Sequence, residues 1–360
     1  MKILAINSVG LTTPDKESMV DRWRIYHPLE ELKKHVDWQI DYQKSIIPGI
    51  EKYKDKSEFT DEELEKAAKH LGSYDIIFTS YFASPTAFSL LHVVNERYGT
   101  KLIIDDDDDI FSIDPENPYW LKMGDNETFA MQRMIRLAPY ISTTNQVLKD
   151  RYSERSEVNG RIFINPNYIS DAYKQYDPKN EDKIVIGFFG GSAHYNDLHN
   201  TGVTQALARL MHKYKNVHFH TAGVPVNDYL PRKRYKVLEP SRGQDWYDKM
   251  FPSLNFDISI APLEDTLFNQ AKSNIKWQES TRMGASVVAS NIGPFNDLTD
   301  CATLVNNTED DWYIALERLL DPLLRKKQVH NARIKLSGMT LEKNWGQYKR
   351  MFEEVYNANN

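Results

Sequence analysis

Five consecutive aspartates, Asp105 to Asp109, follow a short apolar run in "KLIIDDDDDIFSIDPENPYW" and lead into an aromatic loop punctuated by proline. Adjacent carboxylates repel one another, so a fold that gathers them must gain from a cation, a hydroxyl-rich ligand or solvation. Read alone, the run fits a metal site of hard oxygen donors, a cluster of catalytic bases, or a charged surface loop. A second block, "DISIAPLEDTLFNQAKSNIKWQESTRMGASVVASNIGPF" from Asp257, places a polar loop after a buried strand and starts a helix near Ser273 or Asn274. Such a helix N-terminus offers unpaired N–H groups and a positive dipole, both suited to a phosphate. Lys272 and Lys276 add cationic donors at that end, and Glu279, about one and a half turns inside, is placed to hydrogen-bond sugar hydroxyls. The plainer alternative is a generic strand–helix–strand unit with solvated lysines. His194 lies just beyond the glycine pair Gly190–Gly191. His218 and His220 share one strand face without the further ligands a zinc site needs. No nucleophile elbow, Walker loop or zincin motif occurs.

These groups need elements to position them. Apolar runs at 2–7, 38–43, 74–80, 100–105 and 140–144 read as strands. Between them 18–35 (interrupted near Pro28), 61–71, 84–99 and 126–138 read as helices. A second series runs 183–190, 216–223, 235–240, 256–263, 286–291 and 302–306 for strands, with helices at 204–214, 246–254, 275–284, 308–321 and 340–357. Alternation of this kind predicts an α/β class with parallel, doubly wound sheets. Their ligands bind beyond the carboxyl ends of the strands. The polar stretch 164–183 reads as the linker between two domains.

Bulk properties narrow the classes. A chain of 360 residues is long for one core, and 41% hydrophobic with 12% aromatic residues argues against disorder. A net charge of −6, from 45 basic and 51 acidic residues, leaves no generalised basic surface for nucleic acid. One cysteine, Cys301, excludes a disulfide framework. No signal-peptide core and no apolar run of spanning length occur, so the expectation is a cytoplasmic protein with no integral membrane segment.

The block "APLEDTLFNQAKSNIKWQESTRMGASVVASNIGPF" resembles the donor-binding segment of GT-B glycosyltransferases, especially retaining family-4-like enzymes, including bacterial surface-glycan and bacteriophage members. "KIVIGFFGGSAHYNDL" resembles the opening of their C-terminal domain. "ISTTNQVLKDRY" and "FINPNYIS" resemble the end of their first domain and the linker. The resemblance implies a GT-B fold of two Rossmann-like domains facing a cleft. Residues 1–168 would bind the acceptor and 169–342 the nucleotide sugar, with a helix at 343–360 packing back on the first domain.

Carried over by position, Glu279 holds the ribose. The amides of Lys272, Ser273, Asn274 and Ile275, with Lys276, lie against the diphosphate and the transferred sugar. Gly190, Gly191 and Ser192 admit the phosphates, and Gly10 and His194 join the donor site. The family's sugar-reading glutamate is replaced by Ala271. Its usual arginine and lysine after the first C-terminal strand are missing, with His194 and Asp197 in their place and Arg242 and Lys249 as cationic substitutes.

"IIDDDDDIF" resembles an acidic motif of some of these enzymes. That assigns Asp107 and Asp108, with Lys272, to the chemistry. Asp105, Asp109, Tyr119, Trp120, Arg22 and Arg24 fall to the acceptor. No cofactor is required, although Asp107 and Asp109 would suit a divalent cation. The implied reaction moves a sugar from a UDP- or GDP-linked donor to a hydroxyl of a glycan or of a hydroxymethylated DNA base. The alternatives are a catalytically silent nucleotide-sugar-binding protein and a nucleotide-sugar epimerase of similar shape.

Overall fold

The computed structural model describes residues 1–6, 19–43, 60–80, 85–113, 116, 125–178, 182–226, 229–238 and 250–358. Gly10, Tyr119, Trp120, Arg242 and Lys249, named above as site candidates, lie outside the described residues. The chain divides into two compact units. One comprises Met1–Phe111, Met123–Asn167 and Leu341–Asn360, and the other Ser112–Lys122 and Tyr168–Thr340.

The first unit is built on a parallel sheet of β1 (Lys2–Ile6), β2 (Gln39–Gln43), β3 (Ile76–Ser80), β4 (Lys101–Asp106), β5 (Tyr140–Thr143) and β6 (Arg161–Ile164), in the order β2-β1-β3-β4-β5-β6. Strands β1, β3 and β4 are buried along almost their whole length, as expected for a sheet covered on both faces. The helix Asp61–Leu71 starts where the sequence places it because Thr60 and Glu63 form a reciprocal capping box. The C-terminal helix Gly346–Asn357 belongs to this unit, inserting Tyr348, Met351, Phe352 and Val355 into a cluster with Ile3, Ala5, Ile76 and Phe78.

Pro28 does not interrupt the helix expected over 18–35. It occupies the first turn of His27–Lys33, and the preceding Arg22–Tyr26 forms a π-helical turn. That turn sets Arg24 at 0% exposure, where its guanidinium donates to both oxygens of Asp105 at 2.8 Å, to Asn167 Oδ1 at 3.0 Å and to the Asn165 carbonyl. The reading of Arg22 and Arg24 as exposed cations for an acceptor is therefore corrected. Both are buried, and Lys33 and Lys34 are paired with Glu30 and Glu31. Asp105 is likewise corrected from acceptor ligand to internal counter-ion, because both its oxygens face the guanidinium.

The second unit carries β7 (Ile184–Phe189), β8 (Val217–Ala222), β9 (Tyr235–Leu238), β10 (Ile258–Ala261), β11 (Ser286–Ser290) and β12 (Thr303–Val305) in the order β12-β11-β10-β7-β8-β9. Counted from its own first strand this is the 3-2-1-4-5-6 dinucleotide-binding order, whose direction reverses between β7 and β10. Trp312 at 0% exposure anchors the helix Glu309–Arg318 in a core cluster shared with residues of β7, β8 and β10. His218 and His220 lie half-buried on one face of β8.

The sequence reading lacks, among others, the short edge strand β6, the helices Gln146–Ser153, Tyr195–Asn200 and Leu267–Gln270, and the helix Pro322–Leu336, which Asp321 caps and Pro322 opens.

Removing one partner of a buried ion pair strands the other charge, a loss of about 3–5 kcal/mol. Arg24→Ala and Asp105→Ala should each lower the urea midpoint of the first unit by that order. The double replacement Arg24→Met/Asp105→Leu should regain most of it. A double variant as unstable as the singles would contradict this account.

Candidate functional site

The acidic run is divided among different partners. Asp106, at 0% exposure, meets the Tyr152 hydroxyl, which also lies 3.1 Å from the Asp108 carbonyl. Burial pushes the Asp106 carboxyl well above its ordinary range, Asp107 and Asp108 pushing the same way. The Tyr152 hydroxyl donates to Asp106 Oδ2 and the Asp108 amide donates to Oδ1, and both bonds pull the carboxyl down without cancelling burial. Asp109, also at 0% exposure, accepts from Arg151 at 3.1 Å and from the Phe111 amide at 3.2 Å. The reading of Asp109 as a cation or acceptor ligand is thus corrected: it is an internal counter-ion.

Asp107 and Asp108 remain the half-buried members of the run. Among the described residues no group of three or more His, Cys, Asp or Glu is placed to hold a metal ion. The ring centre of Phe111 lies 4.3 Å from the Arg155 guanidinium and 5.1 Å from that of Arg136.

The second unit gathers most of the predicted donor residues at the reversal point of its sheet. β7 ends in a turn in which the Gly190 amide bonds to Ala222 O at 3.0 Å. Gly223, at φ +106°, must lack a side chain, since a Cβ there would lie 2.1 Å from the Gly190 carbonyl. A Cβ at Gly190 would meet the His194 ring edge at 3.0 Å and the Lys276 ammonium at 3.1 Å, whereas one at Gly191 would enter open space.

The neighbouring strand exit is fixed from two sides. Ser290 Oγ accepts from the Leu263 amide at 2.9 Å and donates to Asn307 Oδ1, while Asn307 Nδ2 donates to the Leu263 carbonyl at 2.8 Å. Asp197, at 3% exposure, accepts on Oδ1 from the Glu264 amide at 2.9 Å and Asn269 Nδ2 at 2.7 Å, and on Oδ2 from His194 Nδ1 at 2.8 Å. Burial raises its carboxyl, but the His194 bond, the Glu264 amide and the Lys272 charge outweigh burial and hold it below the usual range.

The helix Ile275–Arg282 begins at Asn274, whose side chain makes no capping bond and accepts instead from Gln278 at 2.8 Å. The N–H groups of a first turn have no intrahelical partner, so this end presents donors. Lys276, buried, donates to the Phe189 carbonyl at 2.6 Å and lies 4.6 Å from the Phe188 ring centre. Burial pulls its ammonium down to about 8, with Lys272 adding to that and Glu279 and Asp197 opposing it. Glu279 is buried one turn further along. Lys272 is half-buried with its ammonium 4.4 Å from the Phe268 ring. Of the two lysines it is therefore Lys276 that reaches the Gly190 turn.

Sequence reading named Asp197 without a role and missed Asn269, Ser290 and Asn307. The three-residue spacing from His194 to Asp197 at a helix start was the one local signal. Ala271 is fully buried, so no side-chain carboxylate stands at that position.

No protein-family model matches the chain, and no curated protein matches it. Solved structures do. A sucrose-phosphate synthase from Thermosynechococcus elongatus superposes with a TM-score of 0.67 at 12% identity, covering 100% of both chains. A glycosyltransferase from Rickettsia africae gives 0.64 at 13%, covering 99% of each. HepE from Anabaena, solved with UDP-glucose, gives 0.61 at 14%, covering 99% of this chain and 100% of that one. The likeness over the full chain establishes the GT-B glycosyltransferase fold, with two parallel six-stranded sheets.

The raised carboxyl of buried Asp106 sets a pH dependence. Its folded-state pKa is raised, so the stability it confers is complete below the ordinary carboxyl value and is lost as pH rises through the folded value. Asp106→Asn keeps an acceptor for the Tyr152 hydroxyl and does not titrate. It should match or exceed the wild type near pH 7 by about 1 kcal/mol or more and show a flatter stability profile between pH 4 and 7 in urea titrations. A less stable variant with an unchanged profile would mean that Asp106 is ionised.

Proposed function

We propose that this chain is a glycosyltransferase that binds a UDP- or GDP-linked sugar at the carboxyl ends of β7 and β10 and moves the sugar, with retention, to a hydroxyl of a glycan acceptor. One observation carries the reading. The glycine turn after β7, a buried lysine ammonium and the uncapped start of a helix converge where the strand order reverses, the place where such sheets bind phosphorylated ligands.

Charge develops on the departing diphosphate as the glycosidic bond breaks. The first-turn amides and the buried Lys276 ammonium are preorganised donors for that charge, and this is the largest electrostatic contribution available. Glu279, on the same helix, accepts from the ribose hydroxyls. Lys272 supports the diphosphate from the loop before the helix. Asp107 and Asp108 are the carboxylates of the first unit placed to meet acceptor hydroxyls.

A glycan suits this better than a DNA base, because the arginines that would have given a cationic rim are internal. Ala271 favours a second reading, a nucleotide-sugar-binding protein that does not turn over. A donor-hydrolysis assay with UDP- and GDP-sugars separates the two, since binding without hydrolysis or transfer across a glycan panel supports the silent binder.

Two measurements test the donor site. Gly191→Ala adds a methyl group to open space, so thermal stability should hold while nucleotide-sugar affinity falls about tenfold. Unchanged affinity would move the ligand elsewhere. Lys276 titrates near 8, and its ammonium is the form that attracts a diphosphate. UDP affinity should therefore fall as pH rises through about 8 in the wild type and be weaker and flat over that range in Lys276→Met. A slope that persists in Lys276→Met would remove Lys276 from the site.

A further inference from the structure

We infer that His194, held by Asp197, is a specificity-determining residue whose Nε2 accepts a hydrogen bond from a hydroxyl of the donor's sugar ring. This rests on the nucleotide-sugar reading and deepens it.

The argument begins with the tautomer. Asp197 is buried and acts as an acceptor on both oxygens, taking two N–H donors on Oδ1 and His194 Nδ1 on Oδ2. Its carboxyl is held low, so it has no proton to give, and the hydrogen in the His194 contact sits on Nδ1. The ring is neutral. Burial and the neighbouring Lys276 ammonium hold its pKa down to about 4, against the pull of Asp197. A neutral imidazole with hydrogen on Nδ1 carries a lone pair on Nε2 and can only accept there.

Position follows from the glycines. The ring edge bearing Cδ2, the atom bonded to Nε2, lies 3.0 Å from where a Gly190 side chain would begin, and Lys276 Nζ lies 3.1 Å from the same point. An acceptor and an ammonium thus meet over one turn, beside the open space at Gly191. The side chain of His194 keeps 19% exposure, and no described residue donates to Nε2. Among the described residues Lys276, with three N–H donors, has one hydrogen-bond partner, the Phe189 carbonyl.

These two groups sort the parts of a nucleotide sugar. Phosphate oxygens accept, so they are drawn to Lys276 and the helix amides and repelled by the Nε2 lone pair. A hydroxyl donates, so it fits Nε2. Asp197 is then a positioning residue. It fixes which nitrogen carries the hydrogen and ties the ring to the loop after β10.

The test uses the full chain, UDP, UDP-glucose, the four UDP-monodeoxyglucoses, and UDP-glucose with a 2′-deoxyribose, with affinities measured by calorimetry. His194→Phe keeps the ring's packing on Phe188 and removes the acceptor, and His194→Gln restores an acceptor near the Nε2 position. Expected is a loss of about 10- to 100-fold for UDP-glucose in His194→Phe, with UDP itself changed less than threefold, which also shows that the variant is folded. One deoxy donor should bind the wild type as weakly as UDP-glucose binds His194→Phe, with no further loss when the two are combined, and His194→Gln should recover most of the affinity. Which deoxyglucose shows this identifies the hydroxyl, and the 2′-deoxyribose donor should still lose the full factor in His194→Phe, because a ribose contact would have weakened UDP as well.

Asp197→Asn presents an amide N–H to the ring and moves its hydrogen to Nε2, so it should reproduce the His194→Phe pattern. Equal losses for UDP and UDP-glucose, or additive losses with every deoxy donor, would overturn the inference while leaving the nucleotide-sugar reading intact. A wild type that binds no uridine or guanosine diphosphate compound would overturn that reading itself.

Discussion

The buried carboxylate of Asp197 is the constraint on which the second unit's site depends. Parallel strands end with their loops side by side, but nothing in the ladder fixes one loop against the next. Asp197 does so by accepting from His194 on its own loop and from Glu264 and Asn269 on the loop after β10. A buried ionised carboxylate is tolerated only when its lone pairs are matched by donors, which makes all three contacts conditional on one another. Ser290 and Asn307 close the same strand exit from the other side, through the backbone of Leu263. The Gly190 turn, Lys276 and the helix start are thereby held without a ligand, which is what electrostatic preorganisation requires.

The first unit handles a greater charge density by a different division. Five adjacent carboxylates are an expensive arrangement in a partly dry setting, and the fold neutralises them one at a time. Arg24 takes Asp105, Arg151 takes Asp109, and Asp106, its carboxyl raised by burial, accepts from the Tyr152 hydroxyl. Only Asp107 and Asp108 keep substantial exposure. The π-helical turn at Arg22–Tyr26 belongs to the same solution. It widens one turn of the helix at the point where Arg24 must reach inward to Asp105 and to the Asn165 and Asn167 segment after β6.

How much of this was legible in the sequence follows from which interactions are local. Strands such as Ile184–Phe189 and Ile76–Ser80 appear as unbroken apolar runs because both their faces are covered, and the helix at Asp61–Leu71 carries its own cap. The donor block was readable because strand, loop, helix and glycine turns are contiguous. The helix Pro322–Leu336 was missed since its buried positions are Arg325, Val329, Ala332 and Leu336, too few apolar residues to print a stripe. Arg325 is buried there because it donates to the carbonyls of Leu319 and Leu320 at the preceding helix end. The pairing of Arg24 with Asp105 joins residues 81 apart, so no local pattern betrays it and a basic segment reads as a surface. Strand β6 is four residues at a sheet edge beside a polar linker, where composition points the wrong way.

The two lysines and one histidine of the donor loop show why type alone misjudges a site. By sequence, Lys272 and Lys276 are equivalent cations and His194 a third. In the fold, Lys272 rests on an aromatic ring, Lys276 is desolvated and donates to the end of β7, and His194 is kept neutral by burial beside that ammonium. Desolvation weakens Lys276 as a free ion but strengthens its attraction to any anion that enters, because the same low dielectric acts on both. A charge that costs stability while alone and recovers it on contact with a diphosphate favours the bound state, and favours most the state in which the diphosphate carries the greatest charge. The neutral histidine does the complementary work. If it were charged, the loop would have no acceptor there; as it stands, one edge of the Gly190 turn offers an ammonium and the other an acceptor.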